Sequence, residues 1–199
     1  MQTAKRRWIY SGLALPKGVG VVRRSLAGLG VPRPDLASGP TLRVALIGDE
    51  LGDGLAMALR LLGEEAGAAV DACPRPGSTV AGWLDEGWFE QVLAGLPQWV
   101  VAAFMWGLPG GERMAVPTGA MRVAQDAADR AEARLIWVAP PGSLPDAVRE
   151  VRENVVGARH GVLSTEGLQI QLGPDGAQPT ALGYAAWAGN VWRQLEQGA

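Results

Sequence analysis

Short apolar segments of strand length alternate with helix-like segments from residue 41 onward, and this alternation limits the possible folds more than any other feature. Helix-like segments such as GAMRVAQDAADRAEA carry apolar residues at helical spacing. The strand-like segments, in order, are TLRVALIG, AAVDAC, QWVVAAFMW, RLIWVAPP and GVLSTEGLQI. Such alternation predicts an α/β fold in which helices cover both faces of a parallel sheet, giving three α/β/α layers.

The first 41 residues differ from the rest in composition and charge. They are rich in Gly and Pro without a sustained hydrophobic period, which predicts an extended arm and linker (1–41) before one domain (42–199). Against the single acidic residue Asp35, residues 1–43 contain the basic residues Lys5, Arg6, Arg7, Lys17, Arg23, Arg24, Arg33 and Arg43. Residues 1–43 are therefore strongly positive. Since the whole chain has a net charge of −2, the remainder must be acidic. We expect this arm to contact protein partners or other subunits. A solvated tail is the alternative, and nucleic acid is a less favoured partner.

Composition also limits the metals, cofactors and cellular locations expected for this chain. A single cysteine, Cys73, forms no internal disulfide, and the sequence has no Cys/His cluster for zinc, so we expect neither a metal nor a cofactor. No apolar run is long enough to predict a membrane span. Paired arginines precede a short apolar run near the N-terminus, but Pro16 interrupts that run. We therefore expect a cytoplasmic protein or a component of a virion or other large assembly, and not a secreted one.

The turns that follow the strand-like segments are where a ligand site is expected, because ligands of open α/β sheets bind beyond the carboxyl ends of the strands. Two of these turns, with the segment before the last helix, resemble motifs of the SGNH/GDSL hydrolase superfamily over residues 42–195. VALIGDELGDGL resembles the family's GDS turn, which carries the nucleophile. DACPRPGSTVAGWL resembles the block in which a glycine amide, here Gly77, contributes to the oxyanion hole. PDGAQPTALGYAAWAGNVW resembles the block with the catalytic Asp and His, matching at Asp175. The resemblance implies a flavodoxin-like parallel sheet.

Three catalytic side chains of that family are missing. Glu50 replaces the serine nucleophile, Gln178 replaces the histidine base, and VVAAFMWGLPGG supplies no asparagine for the oxyanion hole. Acyl transfer by the family mechanism needs all three groups, and a glutamine cannot accept the proton. The sequence therefore predicts no catalytic residues. It predicts a catalytically degenerate, non-enzymatic SGNH-like protein that binds or assembles, with a phage or virus particle as one setting.

The alternative is a weak or altered esterase, or an acyl-carbohydrate-binding protein, that uses Glu50 and Asp175 as a new carboxylate pair. Carboxylates of the same turn, including Asp53, could also bind Mg²⁺ or Ca²⁺, but the sequence favours a capping role of Glu50 at the first helix. Ser78 and His160 are expected to be structural, and Trp106 is expected to fill the former active site. The ligand-contact candidates are Asp49, Glu50, Gly77, Trp106, Asp175 and Gln178.

Overall fold

The structure, a computed structural model, describes residues 42–106, 115–157, 159–174 and 178–198. The predicted arm and Asp175 lie outside these ranges, so both remain predictions. Five strands and six helices lie within the described part of the chain. They are β1 (Arg43–Gly48), α1 (Glu50–Ala66), β2 (Ala69–Ala72), α2 (Val80–Asp85), α3 (Trp88–Ala94), β3 (Trp99–Ala103), α4 (Thr118–Arg130), β4 (Arg134–Val138), α5 (Pro145–Asn154), β5 (Gly161–Leu163) and α6 (Ala181–Gly198).

The strands form one parallel sheet in the order β2-β1-β3-β4-β5, which is the flavodoxin-like order. Successive residues of β1 face opposite layers, as the period of two along a strand requires. Val44 and Leu46 pack with α1 and α6, whereas Ala45 and Ile47 pack with α2, α3, α4 and α5. The predicted three-layer α/β/α fold with a parallel sheet is confirmed.

One predicted helix is divided in the structure. The sequence AGWLDEGWFEQVLAGL favours a continuous helix, but α2 ends at Asp85 and α3 begins at Trp88. Gly87 between them has a φ of 66°, in the left-handed region that helices do not use and that glycine adopts readily. The two short helices can thereby bury Trp83 and Phe89 against the same face of the sheet.

The start of α2 depends on a side-chain cap. The Thr79 hydroxyl accepts a hydrogen bond from the Gly82 amide at 3.0 Å, so of the two predicted capping residues Thr79 caps the helix. We expect Thr79→Ala to lower the free energy of unfolding by about 1 kcal/mol, because it leaves this amide without its acceptor. Chemical denaturation measures the loss, and Thr79→Ser, which keeps the hydroxyl, is the control. Equal losses for the two variants would contradict the capping role.

Among the described residues, no helix is both long and apolar enough to pass through a membrane.

Candidate functional site

The candidate site lies where β1 and β3 end side by side. In the sheet β1 lies between β2 and β3. The chain runs from β1 through α1 to β2 on one side of β1, and it enters β3 on the other side. The two strand ends are in close contact: a Cβ on Gly48 would overlap the Ala103 carbonyl oxygen, and the Asp49 amide donates to that same oxygen at 3.2 Å. Such a change of direction in the strand order opens a crevice at the carboxyl edge of an α/β sheet.

Asp49 joins the two strand ends through its carboxylate. Oδ1 accepts a hydrogen bond from the Leu51 amide at 3.0 Å and thus caps α1, and Oδ2 accepts one from the Met105 amide beyond β3 at 2.7 Å. The side chain is buried, with 4% of its residue surface exposed. The structural hydrogen bonds expected of Asp49 are confirmed. The predicted capping role of Glu50 is wrong, because Asp49 occupies the cap position and Glu50 is the first residue of the helix.

Glu50 extends from the first turn of α1 toward the loop that follows β2. Its Oε2 accepts a hydrogen bond from the Gly77 amide at 2.9 Å. Gly77 has a φ of 75°, which favours glycine, and the loop is anchored by the Arg75 amide donating to the Gly48 carbonyl at 2.8 Å. The resemblance assigns the Gly77 amide to the oxyanion hole. The Glu50 carboxylate therefore occupies the amide that the resemblance assigns to that hole.

A cavity of about 210 Å³ opens beside this contact. The segments that follow β1 and β2 line it with Asp49, Glu50, Gly77, Ser78 and Thr79. The apolar residues of the lining are Val80, Phe104, Met105, Ala115 and Pro117. The volume lies below the range usual for drug-sized ligands, so it suits a small group such as an acetyl or short acyl chain.

The Ser78 hydroxyl, in the lining of this cavity, forms two hydrogen bonds. It donates to the Gly48 carbonyl at 3.3 Å and accepts from the Trp83 indole at 2.9 Å. Both partners hold the loop against β1 and α2. Ser78 is therefore placed as a structural residue of the cavity, and its neighbour Thr79 makes the helix cap.

His160 lies at the other edge of the sheet. Its Nδ1 accepts a hydrogen bond from the Leu135 amide, near the amino end of β4, at 3.0 Å. Its Nε2 lies 3.1 Å from Asp129 Oδ1, a close contact without aligned hydrogen-bond geometry, and its side chain is 1% exposed. Because the Glu50 cavity lies at the carboxyl edge, His160 cannot serve as a base there.

Of the candidates named from the sequence, Asp49, Glu50 and Gly77 line one cavity. Trp106 does not line it: its ring is 1% exposed and belongs to the core on the face of α2 to α5. Gln178 does not line it either, and its carbonyl accepts a hydrogen bond from the Gly173 amide. Any ligand contact by Trp106, Gln178 or Asp175 stays a prediction.

Metal binding by the acidic turn was the third possibility for this region. Within residues 42–106, 115–157, 159–174 and 178–198, no group of three or more His, Cys, Asp or Glu residues is arranged to hold a metal ion. The Asp49 and Glu50 carboxylates accept hydrogen bonds from backbone amides.

The contact between Glu50 and Gly77 was missed from the sequence, although a signal for it was present. Glu50 follows β1 and Gly77 lies in the loop after β2, and these are neighbouring parallel strands. Their carboxyl ends meet at one edge, so a long acidic side chain on the first turn can reach an amide on the second.

Comparisons with known proteins find the fold in solved structures. No family model matches the sequence, and no curated protein matches it. TesA is 19% identical, with a TM-score of 0.57 over 78% of this chain and 99% of that one. The acetyl xylan esterase AlAXEase is 11% identical, with a TM-score of 0.58 over 77% and 99%. The C-terminal catalytic domain of Streptococcus pneumoniae peptidoglycan O-acetyltransferase A is 16% identical, with a TM-score of 0.53 over 80% and 96%. The chain has the fold of the SGNH/GDSL hydrolases.

These similarities contradict the prediction that the chain is not an enzyme. The solved structures that share its fold include esterases and the catalytic domain of an acyltransferase. The prediction rested on the missing serine, histidine and asparagine. Position 50 carries a carboxylate that accepts a hydrogen bond from the Gly77 amide and lines a cavity. The degenerate state and the role in a particle have no support from the comparisons.

Proposed function

We propose that this protein binds a short acyl ester, such as an acetylated carbohydrate, in the cavity beside Glu50 and hydrolyses it slowly, with Glu50 as general base. The observation that carries the proposal is the 2.9 Å hydrogen bond between Glu50 Oε2 and the Gly77 amide. It brings a proton acceptor and a backbone amide donor together in the lining of a small cavity that also has apolar residues. The esterases among the proteins of this fold support the reaction class.

The ester would bind with its acyl group against apolar residues of the cavity lining such as Val80, Phe104 and Met105. Its carbonyl oxygen would take the Gly77 amide, which is a donor suited to the charge that develops on this oxygen. The Glu50 carboxylate would thereby be released from Gly77, while it remains next to the acyl carbon because the first turn of α1 holds it.

The released carboxylate then accepts a proton from a water molecule, and the water oxygen attacks the acyl carbon. The bond between this carbon and the alcohol oxygen breaks. The proton passes from the Glu50 carboxylic acid to the departing alkoxide, so that an ester and a water yield a carboxylic acid and an alcohol. Each missing oxyanion donor costs roughly 10²–10³ in rate, and we therefore expect a slow enzyme. Asp175 is the second carboxylate of the proposal. Only the resemblance of its motif supports a place for it in this site.

We expect Glu50→Gln to lower kcat/KM for 4-nitrophenyl acetate about 100-fold, because an amide oxygen can still accept from Gly77 but cannot take a proton from water. We expect the same loss for Glu50→Gln with an acetylated xylose as substrate. For the wild type, turnover should fall as the acyl chain lengthens from acetate to octanoate, because the cavity is small. Initial rates measured at equal concentrations of folded protein test this.

Glu64→Gln is the matched control, since it removes the same charge from an exposed position of α1 away from the cavity. Its rate should equal that of the wild type. Equal rates for the wild type and Glu50→Gln would contradict the role of Glu50. Binding of the acetylated sugar without any turnover would overturn the hydrolytic step, and Asp175→Asn tests the second carboxylate in the same assay.

A further inference from the structure

A second cavity, of about 320 Å³, lies along the edge strand β2, and none of its lining residues lines the Glu50 cavity. Its walls come from β1, β2, α1 and the two short helices α2 and α3. The residues with polar or aromatic side chains that matter for its chemistry are Arg43, Arg60, Asp71, Cys73, Arg75 and Trp88. This cavity is unusual for an otherwise acidic domain because it collects three guanidinium groups.

The charges in this cavity do not neutralise one another. Asp71 is the one acidic residue that lines it, against three arginines. Among the residues that the structure describes, no ion pair involves Arg43, Arg60, Arg75 or Asp71. The cavity thus has an excess of positive charge that a bound anion would compensate.

Arg75 lies over two indole rings. Its guanidinium carbon lies 4.0 Å from the centroid of the Trp88 ring and 5.7 Å from that of Trp83. A guanidinium stacked on an aromatic face keeps its N–H groups in the plane, where they can form paired hydrogen bonds with a carboxylate or a phosphate. The backbone is fixed as well, since the Arg75 amide donates to Gly48.

Arg60 is also held by a contact of its own, at the end of β2. Its Nη2 donates to the carbonyl of Ala72, the last residue of β2, at 3.1 Å. One donor is used in this bond, and a guanidinium has five. Cys73, which follows Ala72, is exposed and separates the residue bound by Arg60 from the loop position of Arg75.

We propose that this cavity binds the oxyanion group of a small ligand, a carboxylate or a phosphate, between Arg60 and Arg75. Two arginines that are each oriented by a contact of their own, one by a carbonyl and one by an indole, form a preorganised anion site. Asp71 opposes the anion from the same cavity and weakens its binding. The site is separate from the ester cavity and does not depend on hydrolysis there.

Cys73 provides a direct readout, because it is the one cysteine in the sequence and it lines the cavity. The full chain is alkylated with iodoacetamide, an uncharged reagent, in the presence of inorganic phosphate, pyrophosphate or glucuronate, with sodium chloride matched for ionic strength. We expect a saturable slowing of alkylation by an oxyanion and none by chloride. The phosphate and glucuronate arms distinguish the two sources of the oxyanion. Slowing by chloride to the same extent, or by none of the anions, would overturn the proposal.

Variants with opposite expected effects separate binding from a general charge effect. Arg60→Gln and Arg75→Gln should each weaken the apparent affinity about tenfold or more, since each removes a charge-assisted contact. Asp71→Asn should strengthen it about twofold to fivefold by removing a like charge. Arg152→Gln makes the same charge change on α5, next to the opposite edge strand β5, and should leave the affinity unchanged. A loss with Arg152→Gln equal to that with Arg75→Gln would overturn the site.

Discussion

Trp187→Ala is expected to lower the free energy of unfolding by about 4 kcal/mol, the largest stability effect among these predictions. Trp187 lies on α6 and is fully buried in the layer formed by α1 and α6 on one face of the sheet. Its ring stacks on Tyr184 with centroids 6.2 Å apart and an interplanar angle of 24°. Truncation removes the transfer free energy of the ring and leaves a cavity between rigid elements that close only in part.

Trp187→Phe is the informative comparison. Among the described residues the Trp187 indole N–H has no hydrogen-bond partner, and a buried unpaired donor lowers stability. Phenylalanine keeps an aromatic ring and removes that donor, so we expect a loss below about 1.5 kcal/mol. Chemical denaturation measures the free energy of unfolding of both variants, and we expect the dependence of this free energy on denaturant concentration to be unchanged. Equal losses for Phe and Ala would contradict this account of the indole.

The strands could be predicted from the sequence because each is a short apolar run between turn signals. TLRVALIG yields β1, and its alternating residues serve two cores because the sheet is covered on both faces. The division into α2 and α3 could not be predicted with the same certainty, since Gly87 within a helical pattern costs only about 1 kcal/mol. Burial of Trp83 and Phe89 on one sheet face decides that the chain turns there.

The candidate site was predictable in position but not in its contacts. The resemblance pointed to Asp49, Glu50 and Gly77, and these three line one cavity. The cap was assigned to Glu50 and not to Asp49, because both are acidic residues at a helix start and the sequence does not say which one has the cap geometry. Trp106 was expected to fill the former active site; its ring is buried in the core and does not line the cavity, and the filling role stays a prediction. The direction of a side chain just after a strand depends on the backbone path, and the next eight residues, 107–114, lie outside the described ranges.

The anion cavity was not predicted at all. Arg60 lies on α1 and Arg75 in the loop after β2, with no motif that connects them. They become neighbours because α1 packs back across β2, which places Arg60 next to the Ala72 carbonyl. Spatial clusters of this kind, formed across a crossover, are visible only once the strand order is known.

Asp49→Ala is expected to lower the free energy of unfolding by about 3 kcal/mol, the second largest stability effect. The Asp49 carboxylate accepts from the Leu51 amide at the start of α1 and from the Met105 amide after β3. Loss of a helix cap costs about 0.5–2 kcal/mol, and loss of a hydrogen bond to a charged group about 1.5–3 kcal/mol. The two losses share one side chain, so they do not simply add.

Two variants test whether both hydrogen bonds matter. Asp49→Asn retains one carbonyl oxygen, which can accept from one amide, while its NH₂ group faces the other donor, so an intermediate loss is expected. Asp53→Ala removes an exposed carboxylate from the same turn of α1 and should cost less than about 1 kcal/mol, because it changes the interaction with the helix dipole alone. A loss for Asp49→Ala as small as that for Asp53→Ala would contradict a stabilising role of both hydrogen bonds. An intermediate loss for Asp49→Asn would show that both bonds contribute, and the bond to Met105 is the one that joins the end of β1 to the residues after β3, beside the cavity in which Glu50 meets Gly77.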